Sequence, residues 1–596
     1  MKLASFLVDG QERFGFSLLH PVTGEELLVE PGKAEADIIH YAVSKTSGYQ
    51  FSVPRFLSPK PWPLTMQGFL ELGEGGMDTL GRLVSFTERF VEQSDGFSVL
   101  AKAAHRLEDV SLLPPVPEPR VLLGLVGNCP GFSRNHVNIP HINLVPQVHQ
   151  RHLGSAIGNG EPFVIRRPKG QKVSMSFNAE LGVIIGKAGK NIPVEEAMSY
   201  VVGYTVVTDT AHGYYNVKYG EMGKHTDPMS IMAYGWTHKN TDISCAVGPY
   251  LVTKDEVGHP YDLMLYSRTN GMLRDRANTC STLVGVERTI AYFSSFMKLL
   301  PGDVIHMGAN GKDGIGIDVE HQVSGETIQV ECEIEKLGVL RNKVTYLDDA
   351  ELEEKRREFS LAAPMQAEEW DLGKARNFVM TYANTQASAL ASGCQVSPIP
   401  RYLWSVTSAL SSSVSYSPDA KDELYVTAEI AVVIGKTVKW ADKEKLSDCI
   451  LGYLPLVSVT DKRLAQQVIH PALPRESAMP EIYARWADGC NRTCDVVTPL
   501  SKDELAQMRV FLEIDGEQVM DAQYEDYVCK AEDVIEMIGY GSTLYAGDVL
   551  SLGALCAPAV IPGGHAAVRV AMKASGLPDL TLAFHSSQGS ARYAKS

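Results

Sequence analysis

With 596 residues, the chain exceeds what a single hydrophobic core supports, and its 44% hydrophobic and 21% charged content excludes extended disorder. A formal charge of −16 excludes a surface built to neutralise nucleic-acid phosphates or anionic lipid, and points to small-molecule partners. Ten scattered cysteines predict a reduced, cytoplasmic setting, with Cys490 and Cys494 as the closest pair and no second pair at zinc spacing.

In chain order, MKLASFLVDGQERFGFSLLH reads as a strand and turn, not as a signal peptide. Residues 1–110 form a small N-terminal domain closed by LLPPVPEPR. No segment reaches about 18 consecutive apolar residues, so no membrane span is expected.

From there the chain repeats itself, in four parts that keep their order. FNAELGVIIGK at 177–187 returns as VTAEIAVVIGK, which sets Asn178 beside Thr427 and Glu180 beside Glu429. GYTVVTD at 203–209 is answered by GYLPLVSVTD at 452–461, pairing Asp209 with Asp461. WTHKNTDISCAVGPYLVTKDEV is matched by WADGCNRTCDVVTPLSKDEL, with Gly489 opposite Lys239, and PGDVIHMG by AGDVLSLG. A near-constant offset over separate strings indicates duplication rather than chance likeness of apolar runs. The modules span residues 111–345 and 373–596, and the Glu351/Lys355 and Glu353/Arg357 spacings between them predict a solvated helical linker over 346–372. Short β-branched runs such as GVIIG, AVVIG and DVIHMG predict buried strands, and VERTIAYFSSFMKLL has helical periodicity. The fold class is therefore β-rich mixed α/β.

Taken together, these landmarks resemble the fumarylacetoacetate hydrolase family, over most of residues 120–345 and more faintly over 373–580. The resemblance implies two mixed β-sandwich-roll modules. It also implies a Mg²⁺ or Ca²⁺ ion that polarises an oxo-acid or β-dicarbonyl substrate for C–C cleavage, decarboxylation or isomerisation through an enolate. Carried onto this sequence, the metal ligands fall on Asn178, Glu180 and Asp209, an enolate-stabilising lysine on Lys239, and a proton-transferring histidine on His136. Tyr214 and Asn278 join Lys239 as substrate contacts. A positioned ammonium at an enolate oxygen contributes on the order of 3 kcal/mol.

The pattern also departs from the family. Asn178 brings no charge where the family has a carboxylate, Cys129, Pro130 and Gly131 replace the early metal aspartate, and Thr327 stands where the glutamate orienting the histidine would be. Gly213 and Tyr214 replace a charged pair, and Met307 and Ala309 replace two threonines. The second module lacks the lysine and the histidine, which predicts one working site, in the first module, with the second as an intramolecular partner in a pseudo-dimer. Three readings follow: an enolate-handling enzyme with a weakened metal site; a metal-independent isomerase, dehydratase or cyclase on the same scaffold; and a non-catalytic binding protein.

Overall fold

The computed structural model describes the chain except residues 46–60, 94–95, 131–145, 167–174, 213–219, 221–223, 243, 312–314, 318–326, 348–362, 414–422, 441–442, 466–477, 564–566 and 586–596. The N-terminal strand and turn are a hairpin of β1 (Lys2–Val8) with Gln11–Leu19, closed by Asp9 and Gly10 at φ 50° and 72°. That positive-φ pair is what a two-residue hairpin turn requires, and Asp-Gly supplies it at little cost. The helix Gly73–Val91 buries Leu80, Leu83, Val84, Phe90 and Val91, one apolar stripe at helical spacing.

The site-bearing strands of the first module are β2 (Leu122–Leu125), β3 (Val148–Gln150), β4 (Met175–Ile185) and β5 (Val201–His212). Helix α1 (Pro228–Thr237), β6 (Cys245–Thr253) and β7 (Val304–Ala309) complete them. The sheet runs β1-β6-β5-β4-β7-β2-β3, and beyond β1 it continues through three N-terminal strands. Residues 1–110 thus carry their own helices yet share a sheet with the first module, because β1 pairs with β6. A second sheet is built from Met272–Asn278, Met264–Thr269, Ile328–Ile334, Gly338–Leu347 and Pro162–Arg166.

The second module repeats this plan with β8 (Phe378–Thr381), β9 (Tyr402–Ser405), β10 (Leu424–Ile434), β11 (Ile450–Asp461), helix α2 (Met479–Ala484) and β12 (Val549–Ala554). Its order, β9-β8-β12-β10-β11, is that of β3-β2-β7-β4-β5, and a four-stranded sheet accompanies it. Most of the expected linker lies outside the described residues, and its end carries the short 3-10 turns Ala367–Glu369 and Leu372–Lys374.

The modules meet through reciprocal contacts. The Tyr234 hydroxyl on α1 donates to Ile399 O at 2.9 Å, and the Tyr483 hydroxyl on α2 donates to Pro146 O at 2.8 Å. Thr543 N donates to Asp242 at 2.8 Å, and Lys298 N donates to Asp488 at 2.7 Å. Each contact has its counterpart with the modules exchanged, which is the isologous arrangement of a two-fold dimer built within one chain.

Candidate active site

β4 is buried along nearly its whole length, so it reads as a continuous apolar run interrupted by Asn178 and Glu180. Two residues apart on a strand, these side chains share a face, and Asp209 joins them because it lies directly opposite Asn178 on β5. All three are buried, at 6%, 2% and 2% exposure. Glu180 and Asp209 thus reach one face from neighbouring strands.

What surrounds them differs from an oxygen-lined dication site. Both oxygens of Asp209 are taken by cations: Oδ1 accepts from Arg151 Nη2 and Oδ2 from Lys239 Nζ. Arg151, whose side chain is fully buried, is fixed further by Nη1 donating to Lys239 O at 2.5 Å and to Ser244 Oγ at 2.8 Å. Glu180 Oε2 accepts from His306 Nδ1 and, at 3.1 Å, from Gly308 N, whose φ of 81° turns the amide inward. Two carboxylates are therefore balanced by a guanidinium and an ammonium. With a neutral amide at Asn178 and both Asp209 oxygens already accepting from cations, the set fits a hard Mg²⁺ or Ca²⁺ ion poorly.

Two histidines complete the cluster, and neither was singled out from the sequence. His306 on β7 lies beside Gly124 of β2, which lies in turn beside His149 of β3. The rings are 5.7 Å apart at 75°. Glycine at 124 makes this possible: a Cβ there would sit 2.3 Å from the His306 ring and 2.6 Å from that of His149. Burial depresses the pKa of both imidazoles and outweighs the opposing pull of Glu180 on His306, with Arg151 and Lys239 adding to the depression, so the neutral rings are favoured at pH 7. With Nδ1–H donating to Glu180, His306 Nε2 carries the lone pair, and it has no hydrogen-bond partner; neither has either ring nitrogen of His149. His149, Asp209 and His306 bring one ligand atom each within 4.8 Å of one another, a nitrogen-rich set on which a transition metal such as Mn²⁺, Fe²⁺ or Zn²⁺ would have to displace the Arg151 or Lys239 contact to Asp209.

Of the remaining expected site residues, His136 and Tyr214 lie outside the described residues. Asn278 sits at the end of Met272–Asn278 in the companion sheet, where Oδ1 accepts from Cys280 N at 2.8 Å and Nδ2 donates to Asp262 at 3.1 Å. These bonds cap a turn and do not involve Glu180 or Asp209.

The second module corrects two alignments. Thr427 pairs with Ser458, as Asn178 pairs with Asp209, so Ser458 and not Asp461 holds the place of Asp209. Asp461 instead accepts from Arg463 N at 2.7 Å and caps a short helix. Asp488 makes the contact of Asp242, yet lies two residues after Trp486 where Asp242 lies six after Trp236. Lys239 thus falls in a stretch the second copy lacks, rather than opposite Gly489. Ser551 replaces His306, Met380 replaces Gly124 and Leu403 replaces His149. Glu429 persists, held by Thr427, Ser551 and Arg485.

Comparison with known proteins decides the family. The fumarylacetoacetate (FAA) hydrolase C-terminal family matches residues 126–345 and again 367–581. The chain belongs to this family, twice over. It is 31% identical over 286 residues to the mitochondrial oxaloacetate tautomerase fahd2 of Xenopus laevis, covering 47% of this chain and 79% of that protein. The same identity and length hold for human oxaloacetate tautomerase FAHD2A, with 80% of that protein covered. Among solved structures, maleylpyruvate hydrolase from Sphingobium, in complex with manganese(II) ion and pyruvate, is similar at 21% identity and a TM-score of 0.38, over 58% of this chain and 99% of that one. The FAA hydrolase relatives are enzymes, and so is this protein. Among the described residues no helix is long and apolar enough to cross a membrane. The tautomerase relatives bear mitochondrial in their names, where the cysteine content alone suggests cytoplasm.

Proposed function

We propose that the first module interconverts the keto and enol forms of a small 2-oxo acid, with His306 as the base, Glu180 as its orienting partner, and Lys239 and Arg151 as the cations facing the enolate. The observation that carries this reading is the Glu180–His306 pair: a buried, neutral imidazole whose Nδ1 is tied to a carboxylate and whose Nε2 is unpartnered. In the proposed step Nε2 takes a proton from the carbon next to the carbonyl, and the electron pair moves onto the carbonyl oxygen. The imidazolium then returns the proton to that oxygen, so keto becomes enol with no net gain or loss of atoms. Lys239, whose side chain is 21% exposed while Arg151 and His306 are enclosed, is the cluster's contact with the outside and the group placed to meet the substrate's oxygen. Asp209 acts as a positioning residue that holds both cations.

Similarity to oxaloacetate tautomerases supports oxaloacetate as the first substrate to test. The test is the ultraviolet absorbance of oxaloacetate enol, followed as it relaxes to the keto form with and without EDTA-treated protein. Acceleration that survives EDTA and is lost in His306→Ala supports the reading; relaxation no faster than in buffer overturns it. The orphan nitrogens of His149 and His306 favour a second reading, in which these histidines and Asp209 hold a transition metal. In that case EDTA abolishes the activity, and Mn²⁺ or Zn²⁺ restores it where Mg²⁺ does not.

A further inference from the structure

A cavity opens in the module without a base. A space of about 370 Å³ lies on the second module's face that corresponds to the first module's cluster, since Thr427 and Ser458, the counterparts of Asn178 and Asp209, line it. Arg485, Glu481 and Tyr382 line it too. The volume lies within the range of small-molecule sites.

We propose that this cavity binds a small carboxylate of the 2-oxo-acid class, recognised by Arg485 without a metal and without turnover. Arg485 follows α2 directly, so the helix fixes where its guanidinium stands. The side chain is 8% exposed, and Nη2 is spent on Glu429 and, at 3.0 Å, on Ser458 Oγ. Its Nε–H has no partner, although buried N–H groups are seldom left unpaired. The ring of Tyr382 covers the guanidinium at 5.4 Å, so the cation is held in place from both sides.

A carboxylate is the ligand that matches these donors. Its second oxygen meets Glu481, one helical turn before Arg485, whose carboxyl accepts from Ser392 Oγ at 3.2 Å. Burial raises the pKa of Glu481 against the opposing pull of Arg485 and Ser392, the direction that favours an acid proton beside a bound carboxylate. Glu429 and Arg485 cancel in charge, and Glu481 is the one acidic side chain among the cavity's described lining residues. The hydroxyls of Thr427 and Thr460 supply donors for an oxo group. Turnover is absent by construction: Ser551 stands where His306 is, and Ser458 where Asp209 is.

The experiment is calorimetric titration of the full chain with pyruvate, and with methyl pyruvate as the neutral control. Two variants test the site: Arg485→Met removes the guanidinium, and Ala465→Trp fills the cavity from its wall while sparing the Glu429–Arg485 pair, so a misfolded Arg485→Met leaves the proposal testable. The expected result is two pyruvate sites per chain, one of which weakens about tenfold or more in both variants, as loss of a charge-assisted hydrogen bond does. Oxaloacetate tautomerisation remains at the wild-type rate in Ala465→Trp, which separates this site from the first module's chemistry. Unchanged pyruvate binding in Ala465→Trp, or methyl pyruvate binding as tightly as pyruvate, overturns the proposal.

Discussion

Lys239→Ala separates a catalytic lysine from a structural one. Lys239 and Arg151 hold opposite oxygens of Asp209, but the lysine side chain is 21% exposed and the arginine side chain is not exposed at all. Removing the lysine leaves Asp209 paired with Arg151 and opens a place that water can fill, so the expected stability cost is that of a near-surface ion pair, about 1 kcal/mol or less. That corresponds to a melting shift of about 2–4 °C for a module of this size. The same deletion removes a donor to the enolate oxygen, and such donors are worth about 3 kcal/mol, or a rate loss of about 100-fold. Arg151→Met should behave in the opposite sense: breaking the fully enclosed Arg151–Asp209 pair costs about 3–5 kcal/mol and lowers the melting temperature by more than about 6 °C. The assay pairs tautomerisation kinetics with thermal melting on both variants. Wild-type kcat in Lys239→Ala, or a melting loss as large as that of Arg151→Met, would refute the reasoning.

Three further outcomes follow from the geometry. Gly124→Ala should abolish activity and lower the melting temperature, because its Cβ would fall 2.3 Å from the His306 ring between two β-strands; an active, stable variant contradicts the packing. Tyr483→Phe removes the hydroxyl that accepts from Val148 N and donates to Pro146 O, each at 2.8 Å, so differential scanning calorimetry should show a loss of about 2–4 kcal/mol from two stranded groups at the module interface. His152 is held down to about 4 by burial, so the unfolded chain binds its proton first as pH falls below 6.5. The stability is whole above that pH and is lost on the way to pH 4, with about 2 kcal/mol gone at pH 5 from this residue. Urea unfolding at pH 7 and pH 5 measures the difference, and equal stabilities would contradict it.

The duplication was legible because strand-forming strings keep their spacing where packing demands it: GVIIG and AVVIG both close the buried C-terminal ends of long strands. Asn178 and Glu180 share a face because of the two-residue period of a strand. The error at Asp461 arose because VTD ends both strings, while pairing is set by hydrogen-bond register, and a three-residue slip is invisible in text. His149, Arg151 and His306 were missed for another reason. His149 and Arg151 lie on β3 and directly after it, His306 lies on β7 far along the chain, and the family pattern marks none of them. The available signal was contrast between copies, since His306 and Gly124 stand against Ser551 and Met380. Arg485 was overlooked likewise, although it offers the second copy a cation for Glu429 where the first has Arg151 and Lys239 for Asp209.

The most direct measurement of enolate formation is proton NMR of pyruvate in D₂O, following loss of the methyl signal as solvent deuterium enters next to the carbonyl. The account predicts exchange well above the buffer rate with EDTA-treated wild-type protein, and a fall of about 100-fold or more in a folded His306→Ala variant. Exchange equal in the two proteins, or no faster than in buffer, contradicts a base at His306.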